Sequence, residues 1–172
     1  MLKFQKIIIY TFLLSLSLLY SHSVVEDLDL NRFMGRWYVI ALVPNWVEEN
    51  CTNSYDDYVL NEDNTIDITY RAIKNGKSRM IKQKGIVSKE SSARWEIEFV
   101  KPWVPLYKAP YEVIILDENY EFMVVGYPDN TFGWIMARGT SMNNDIYDNI
   151  LETLERDFGY SKETFQKVIH KN

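Results

Sequence analysis

Cys51 is the only cysteine in the chain, so covalent catalysis through a thiol would have to start there. A thiol needs a nearby base to become a nucleophile. His22 falls in a leader segment described below, which leaves His170, near the C-terminus, as the one imidazole to serve Cys51. Two acid pairs, Glu48-Glu49 and Asp56-Asp57, have the residue types for general acid–base work. Adjacent residues on a strand point to opposite faces, so Asp56 and Asp57 cannot work as a pair in one site. No Cys/His cluster has metal-ligand spacing. These residues therefore predict no enzyme, no metal and no cofactor. Cys51 reads as an inert, half-buried thiol, with a nucleophile or an intermolecular bridge as the alternatives.

The elements that would have to position any site begin after a leader. Lys3 and Lys6 precede an apolar run over residues 7–20, followed by Ser21-His22-Ser23. A membrane-spanning helix needs about 20 apolar residues. A basic flank, a short apolar core and small residues spaced for cleavage after Ser23 predict a secretory signal peptide over 1–23. An uncleaved membrane anchor is the alternative. No cysteine follows the run, so no covalent lipid anchor is expected. Residues 24–172 then form one domain, long enough for a full core. The whole chain has net charge −5; losing two lysines leaves 17 basic against 24 acidic residues, a net −7. That balance argues against nucleic acid as a partner and weakens attraction to anionic headgroups. With one cysteine there is no intramolecular disulfide, so stability rests on the core.

From Trp37 onward, short strand patterns are separated by turn signals. Residues 36–43 come first, then a loop, then 52–60, 65–73, 79–89, 93–100, 111–117, 120–127 and 132–139. Residues 65–73 alternate strictly, with Ile66, Ile68 and Tyr70 opposite Asp67, Thr69 and Arg71. Asn75-Gly76 suits a type I′ hairpin turn. Residues 101–110 read as a proline-bounded loop. The period then changes: Ile146, Ile150, Leu151, Leu154 and Phe158 recur at helical spacing, with an Asn143-Asn144 cap before them and Gly159 after. The stretch 163–170 adds a strand or packs as a tail. Eight sequential strands with mostly short connections predict an all-β, antiparallel up-and-down barrel with one C-terminal helix outside it. Eight strands enclose room for one small ligand.

Connections in such a barrel alternate between its ends. The loops 44–51, 74–78, 101–110 and 128–131 share one end, and short polar turns close the other. The first end carries Trp46, Trp103, Leu106 and Tyr107, which form a lid or mouth. Trp37 starts the first strand at the closed end, and Arg138 ends the eighth strand at the same end. An arginine lying over an indole there contributes about 0.5–2 kcal/mol. Gly35 lets the chain turn out of a one-turn helix crossing the opening. Trp37 is thus a floor plug, structural rather than ligand-binding. Taking it as inward places Val39 and Ala41 inward too. The other inward stripes are Ile66/Ile68/Tyr70, Trp95/Ile97/Phe99, Val113/Ile115 and Met123/Val125. Those near the floor fill the core, and those toward the mouth are the ligand-binding candidates. Arg71, Lys82 and Lys84 could meet an anionic headgroup, but alternation sets each opposite an apolar stripe.

Gly35-Arg36-Trp37, inside NRFMGRWYVIA, resembles the G-x-W motif of lipocalins. PDNTFGWIMAR, ending in Arg138, resembles the family's last block, whose arginine crosses the tryptophan. Gly126-Tyr127-Pro128-Asp129 resembles the block before it more loosely. The resemblance runs from Asp27 to His170 and is nearest to the bacterial outer-membrane lipocalin and apolipoprotein D-like branch. The bacterial prototype carries a lipobox cysteine that this chain lacks, and Cys51 stands where none is expected. The resemblance implies extracytoplasmic binding and transport of a small hydrophobic or amphipathic ligand, such as a fatty acid or lysophospholipid. It implies a periplasmic or secreted protein, peripheral to an outer membrane. The alternatives are an enzyme on this fold using Cys51, or a protein–protein module of the cell envelope, with a homodimer through the mouth or through Cys51 as its form.

Overall fold

The computed structural model describes residues 22–171. Nearly all of the expected signal peptide lies outside the described residues. Two residues of it are inside, and one of them is firmly seated. The His22 ring reaches Glu112 Oε2 at 3.0 Å through Nδ1 and Asn130 Oδ1 at 2.8 Å through Nε2. It also stacks on Tyr160, and the His22 carbonyl accepts from Arg94 Nη2. Cleavage after Ser23 would remove this contact; cleavage before His22 would keep it.

The chain continues with a one-turn helix α1 (Leu30–Phe33), whose N-cap Asp29 accepts from the Asn31 and Arg32 amides. Eight strands follow: β1 (Gly35–Leu42), β2 (Cys51–Leu60), β3 (Thr65–Lys74), β4 (Lys77–Val87), β5 (Arg94–Lys101), β6 (Trp103–Leu116), β7 (Phe122–Gly126) and β8 (Gly133–Ala137). Each pairs antiparallel with the next, and β1 pairs with both β2 and β8, which closes the barrel. A short β9 (Gln166–Lys167) adds to β1 beyond the closure. Asn75 and Gly76 both have positive φ, as the type I′ turn between β3 and β4 requires. Residues 101–110 are not a loop. The chain turns at Pro102 and runs straight into β6, and Val100 already pairs with Trp103. Proline bounds the turn there but leaves strand backbone on both sides.

Helix α2 (Asn144–Phe158) lies outside the barrel. Its N-cap Asn143 accepts from the Asp145 and Ile146 amides, and Gly159 ends it in the left-handed region. Tyr147, Ile150 and Leu154 are its buried residues, while Ile146 faces solvent. They pack on the outward face of β1, β6, β7 and β8 through Ile40, Ala41, Ile114, Val124 and Ile135. These strands are therefore apolar on both faces, one toward the barrel interior and one toward the helix. Among the described residues, no helix is long and apolar enough to cross a membrane.

Of the five register shifts in the sheet among the described residues, two break the alternation read from the sequence at candidate ligand-facing residues. In β1 the register with β8 shifts between Val39 and Ala41, and in β6 the register with β7 shifts between Val113 and Ile115. Each bulge moves one extra residue past the partner strand and reverses the faces beyond it. Ala41 and Ile115 consequently pack with the α2 layer, not in the barrel interior.

Candidate functional site

The interior divides into a filled floor and an open cavity. At the floor, Trp37 is fully buried and its Nε1 donates to the Phe33 carbonyl at 2.8 Å. The Arg138 guanidinium lies 3.8 Å over the indole. It also donates to the carbonyls of Tyr120, Arg36, Arg32 and Phe33, so it caps the end of α1 while covering the ring. Burial holds its pKa below the ordinary guanidinium value. Gly35 has φ +95°, which a side chain would strain, and an added Cβ would stand 3.5 Å from the Arg138 guanidinium. Phe33 contacts Trp37, Tyr58 and Trp95 in tilted or edge-on geometry, and Trp95 stacks on Tyr111 at 4.6 Å. The Tyr58 and Tyr111 hydroxyls meet at 2.8 Å.

Above this layer is a cavity of about 580 Å³. That lies within the range of small-molecule sites, about 300–1,000 Å³. Its apolar wall includes Ile68 and Tyr70 from β3, Ile81 from β4, Ile97 and Phe99 from β5, Val125 from β7 and Met136 from β8. Among the sequence candidates, Ile68, Tyr70, Ile97, Phe99 and Val125 thus stand on the cavity wall. Val39, Ile66, Trp95, Val113 and Met123 do not. They are inward but too deep, and they fill the closed core around Phe33 and Trp37. Ala41 and Ile115 are excluded by the bulges. At the mouth, Trp46 and Tyr107 line the cavity and also face solvent. Trp103 and Leu106 are exposed on the rim and do not line it.

The polar part of the wall was not legible as such in the sequence. Glu48 comes from the β1–β2 loop and is buried. Its Oε2 accepts from Asn45 Nδ2 at 2.9 Å and from Trp134 Nε1 at 2.8 Å, so it ties the loop to β8 across the mouth. Burial raises its pKa, and the hydrogen bonds from Asn45 and Trp134 and the charge of Arg79 oppose that rise. Lys74 Nζ donates to the Trp46 and Val47 carbonyls and holds the same loop to β3. On β2 the pair Asp56-Asp57 divides as alternation requires. Asp57 faces out and takes two hydrogen bonds from Arg36, at 2.8 and 3.0 Å. Asp56 lines the cavity, where burial and then the charges of Glu48 and Asp57 hold its carboxyl well above the ordinary range. Arg79 on β4 also lines the cavity, and its buried Nε has no hydrogen-bond partner among the described residues. The strict alternation Arg79/Ile81/Gln83 was the available signal for Arg79. It is obscured because the outward Lys82 and Lys84, with the exposed Lys77 at the strand end, make Arg79 one cation among several.

Cys51 and His170 do not form a catalytic pair. His170 Nε2 donates to the Val39 carbonyl at 2.8 Å, and its ring stands edge-on to Tyr38. Cys51 is a half-buried free thiol beside Tyr70. Among the described residues, no group of three or more His, Cys, Asp or Glu is placed to hold a metal ion.

The family model described as a lipocalin-like domain matches residues 28–170. The temperature-induced lipocalin-1 of Arabidopsis thaliana is 30% identical over 146 residues, covering 81% of this chain and 78% of that protein. The outer membrane lipoprotein Blc of Vibrio cholerae is 26% identical over 139 residues, covering 78% of this chain and 79% of that one. Among solved structures, insecticyanin from the tobacco hornworm Manduca sexta superposes with a TM-score of 0.71 at 15% identity, covering 88% of this chain and 86% of that one.

Proposed function

This chain belongs to the lipocalin family, and we propose that it is an extracytoplasmic carrier of one small amphipathic lipid, a fatty acid or lysophospholipid, held without chemistry. The observation that carries this reading is the cavity itself, sealed below by the Trp37 and Arg138 floor and open above between Trp46 and Tyr107. An acyl chain lies against the Ile68, Ile97, Val125 and Met136 wall. At about 0.8 kcal/mol per buried CH₂, a 16-carbon chain offers a gross gain of about 12 kcal/mol. Ordering and desolvation remove much of this, which leaves micromolar to nanomolar affinity. Arg79 has the chemistry to take a carboxylate or phosphate headgroup. The absence of any assembled nucleophile and base around Cys51 supports a binding role over an enzymatic one. The leader supports export to a periplasm or to the exterior.

The test is native mass spectrometry of protein purified without denaturant, followed by titration with dodecanoate. A bound lipid mass that is lost on unfolding supports the carrier reading. Arg79→Gln is expected to weaken dodecanoate about tenfold, the loss of one charge-assisted contact. A bare mass together with no binding of any amphiphile overturns the reading.

A further inference from the structure

Asp56 is a carboxyl on the wall of an otherwise largely apolar cavity, and no group among the described residues answers it. Its strand neighbours face away from it: Tyr55 and Asp57 point outward, where Arg36 serves both. Its cross-strand partners are Trp37 on β1 and Tyr70 on β3. The Trp37 Nε1 proton is already given to Phe33, and the Tyr70 hydroxyl is engaged with Ser54 at 3.2 Å. Among the described residues, nothing that acts on Asp56 is a donor; burial and the charges of Glu48 and Asp57 are what it feels.

The other charged groups on the cavity wall are Glu48 and Arg79. Glu48 holds two N–H donors and also feels the Arg79 charge, so these two offset each other. With both acids ionised, the interior is one cation short of neutrality. A burial cost of this kind is retained where a ligand supplies the missing charge. A carboxylate placed beside Asp56 would add to the repulsion. An alcohol would give it one hydrogen bond. A protonated amine would give it a charge and up to three donors.

We propose that Asp56 is an anchoring subsite for a protonated primary amine, so that the preferred ligand is an amphipath whose polar part includes an ammonium. This rests on the carrier reading and narrows it. Plain fatty acids use Arg79 and leave Asp56 unanswered, whereas a lipid bearing both an amine and an anionic group finds a partner for each on the cavity wall. When the amine binds, Asp56 gives any proton it holds to solvent and pairs as the carboxylate.

The experiment compares three probes of one chain length, dodecylamine, dodecanol and dodecanoate, each below its micelle concentration. Binding to the purified protein is followed by quenching of tryptophan fluorescence and by calorimetry. Dodecylamine is expected to bind about 10–100-fold tighter than dodecanol, the range of a hydrogen bond to a charged group. In Asp56→Asn that ratio is expected to fall to within about threefold, and in Asp57→Asn, on the outward face of the same strand, to stay as in the unmodified protein. Taking the ratio of two probes cancels any general change in the cavity. An amine no tighter than the alcohol overturns the proposal, as does an advantage that survives in Asp56→Asn. If all three probes fail to bind, the carrier reading itself falls.

Discussion

At the closed end of the barrel the Arg138 guanidinium donates to four carbonyl oxygens and lies against the Trp37 ring, whereas toward the open end Arg79 has a buried Nε with no hydrogen-bond partner among the described residues. The acids divide in the same way. Asp29 caps α1 beneath the floor, and Asp56, cross-strand from Trp37, stands unanswered at the base of the cavity. Aromatic residues differ as well, fully packed around Phe33 at the floor and up to 78% exposed at Trp46 on the rim. The floor plug satisfies its polar groups internally and gains stability from them, although Arg94 at the same end keeps a buried Nε that has no hydrogen bond among the described residues and only an ion pair to Glu112 at 3.6 Å. The cavity wall leaves Arg79 Nε and Asp56 without a hydrogen-bond partner among the described residues. Buried polar groups in native proteins are almost always paired, so a polar group left unpaired on the wall of a cavity marks where a ligand would sit.

The largest effect that would sharpen this contrast is at the floor. Trp37→Ala removes the largest of the fully buried side chains and leaves Arg138 without its ring. It is expected to cost about 3–5 kcal/mol. In a domain of this size that is a drop of roughly 10 °C or more in Tm, read by circular dichroism. A loss under about 1 kcal/mol would mean the floor is not the stabilising end, and the contrast would fail.

Asp56→Asn should act in the opposite direction, with a dependence on pH. The fold holds the Asp56 proton to higher pH than the unfolded chain does. Between the ordinary carboxylate value and the raised one, the native state binds more protons, so stability falls as pH rises through that window. Asparagine carries no such penalty. The variant is expected to melt close to the unmodified protein near about pH 4 and about 2–6 °C higher near about pH 8. A variant less stable at the higher pH would show that Asp56 is paired within the fold and would erase the difference between the two ends.

The smallest effect on stability belongs to the rim. Trp46→Ala removes a mostly exposed ring and should change stability by no more than about 0.5 kcal/mol. Dodecanoate affinity should nevertheless fall several-fold, because the ring lines the mouth. Equal loss of stability and affinity would assign Trp46 to the fold rather than to the site.

Periodicity and turn chemistry were enough to read the barrel from the sequence. Alternation in 65–73, the Asn75-Gly76 turn, the change to helical spacing after Asn144 and the Gly35-Arg36-Trp37 start are local patterns. Each corresponds to an element of the structure. The contact of Arg138 with Trp37 was legible because barrel closure makes the first and last strands neighbours. Depth along a strand was not. Alternation separates inward from outward but does not say how far the floor extends, so Val39, Ile66, Trp95, Val113 and Met123 read as ligand-facing while they fill the core. The bulges that turn Ala41 and Ile115 outward leave no mark in residue type. They show only in the register of β1 with β8 and of β6 with β7.

The sequence by itself determined the barrel, its helix and its plugged floor, because each follows from patterns within one element or from the closure that makes the first and last strands neighbours. Only the tertiary structure decided the cavity's chemistry. Glu48, Asp56 and Arg79 lie on a loop and two different strands, and their meeting depends on how the loop folds over the mouth and on the register of β2, β3 and β4. Whether a buried charge is answered is a property of everything around it, and that surrounding exists only once the barrel has closed.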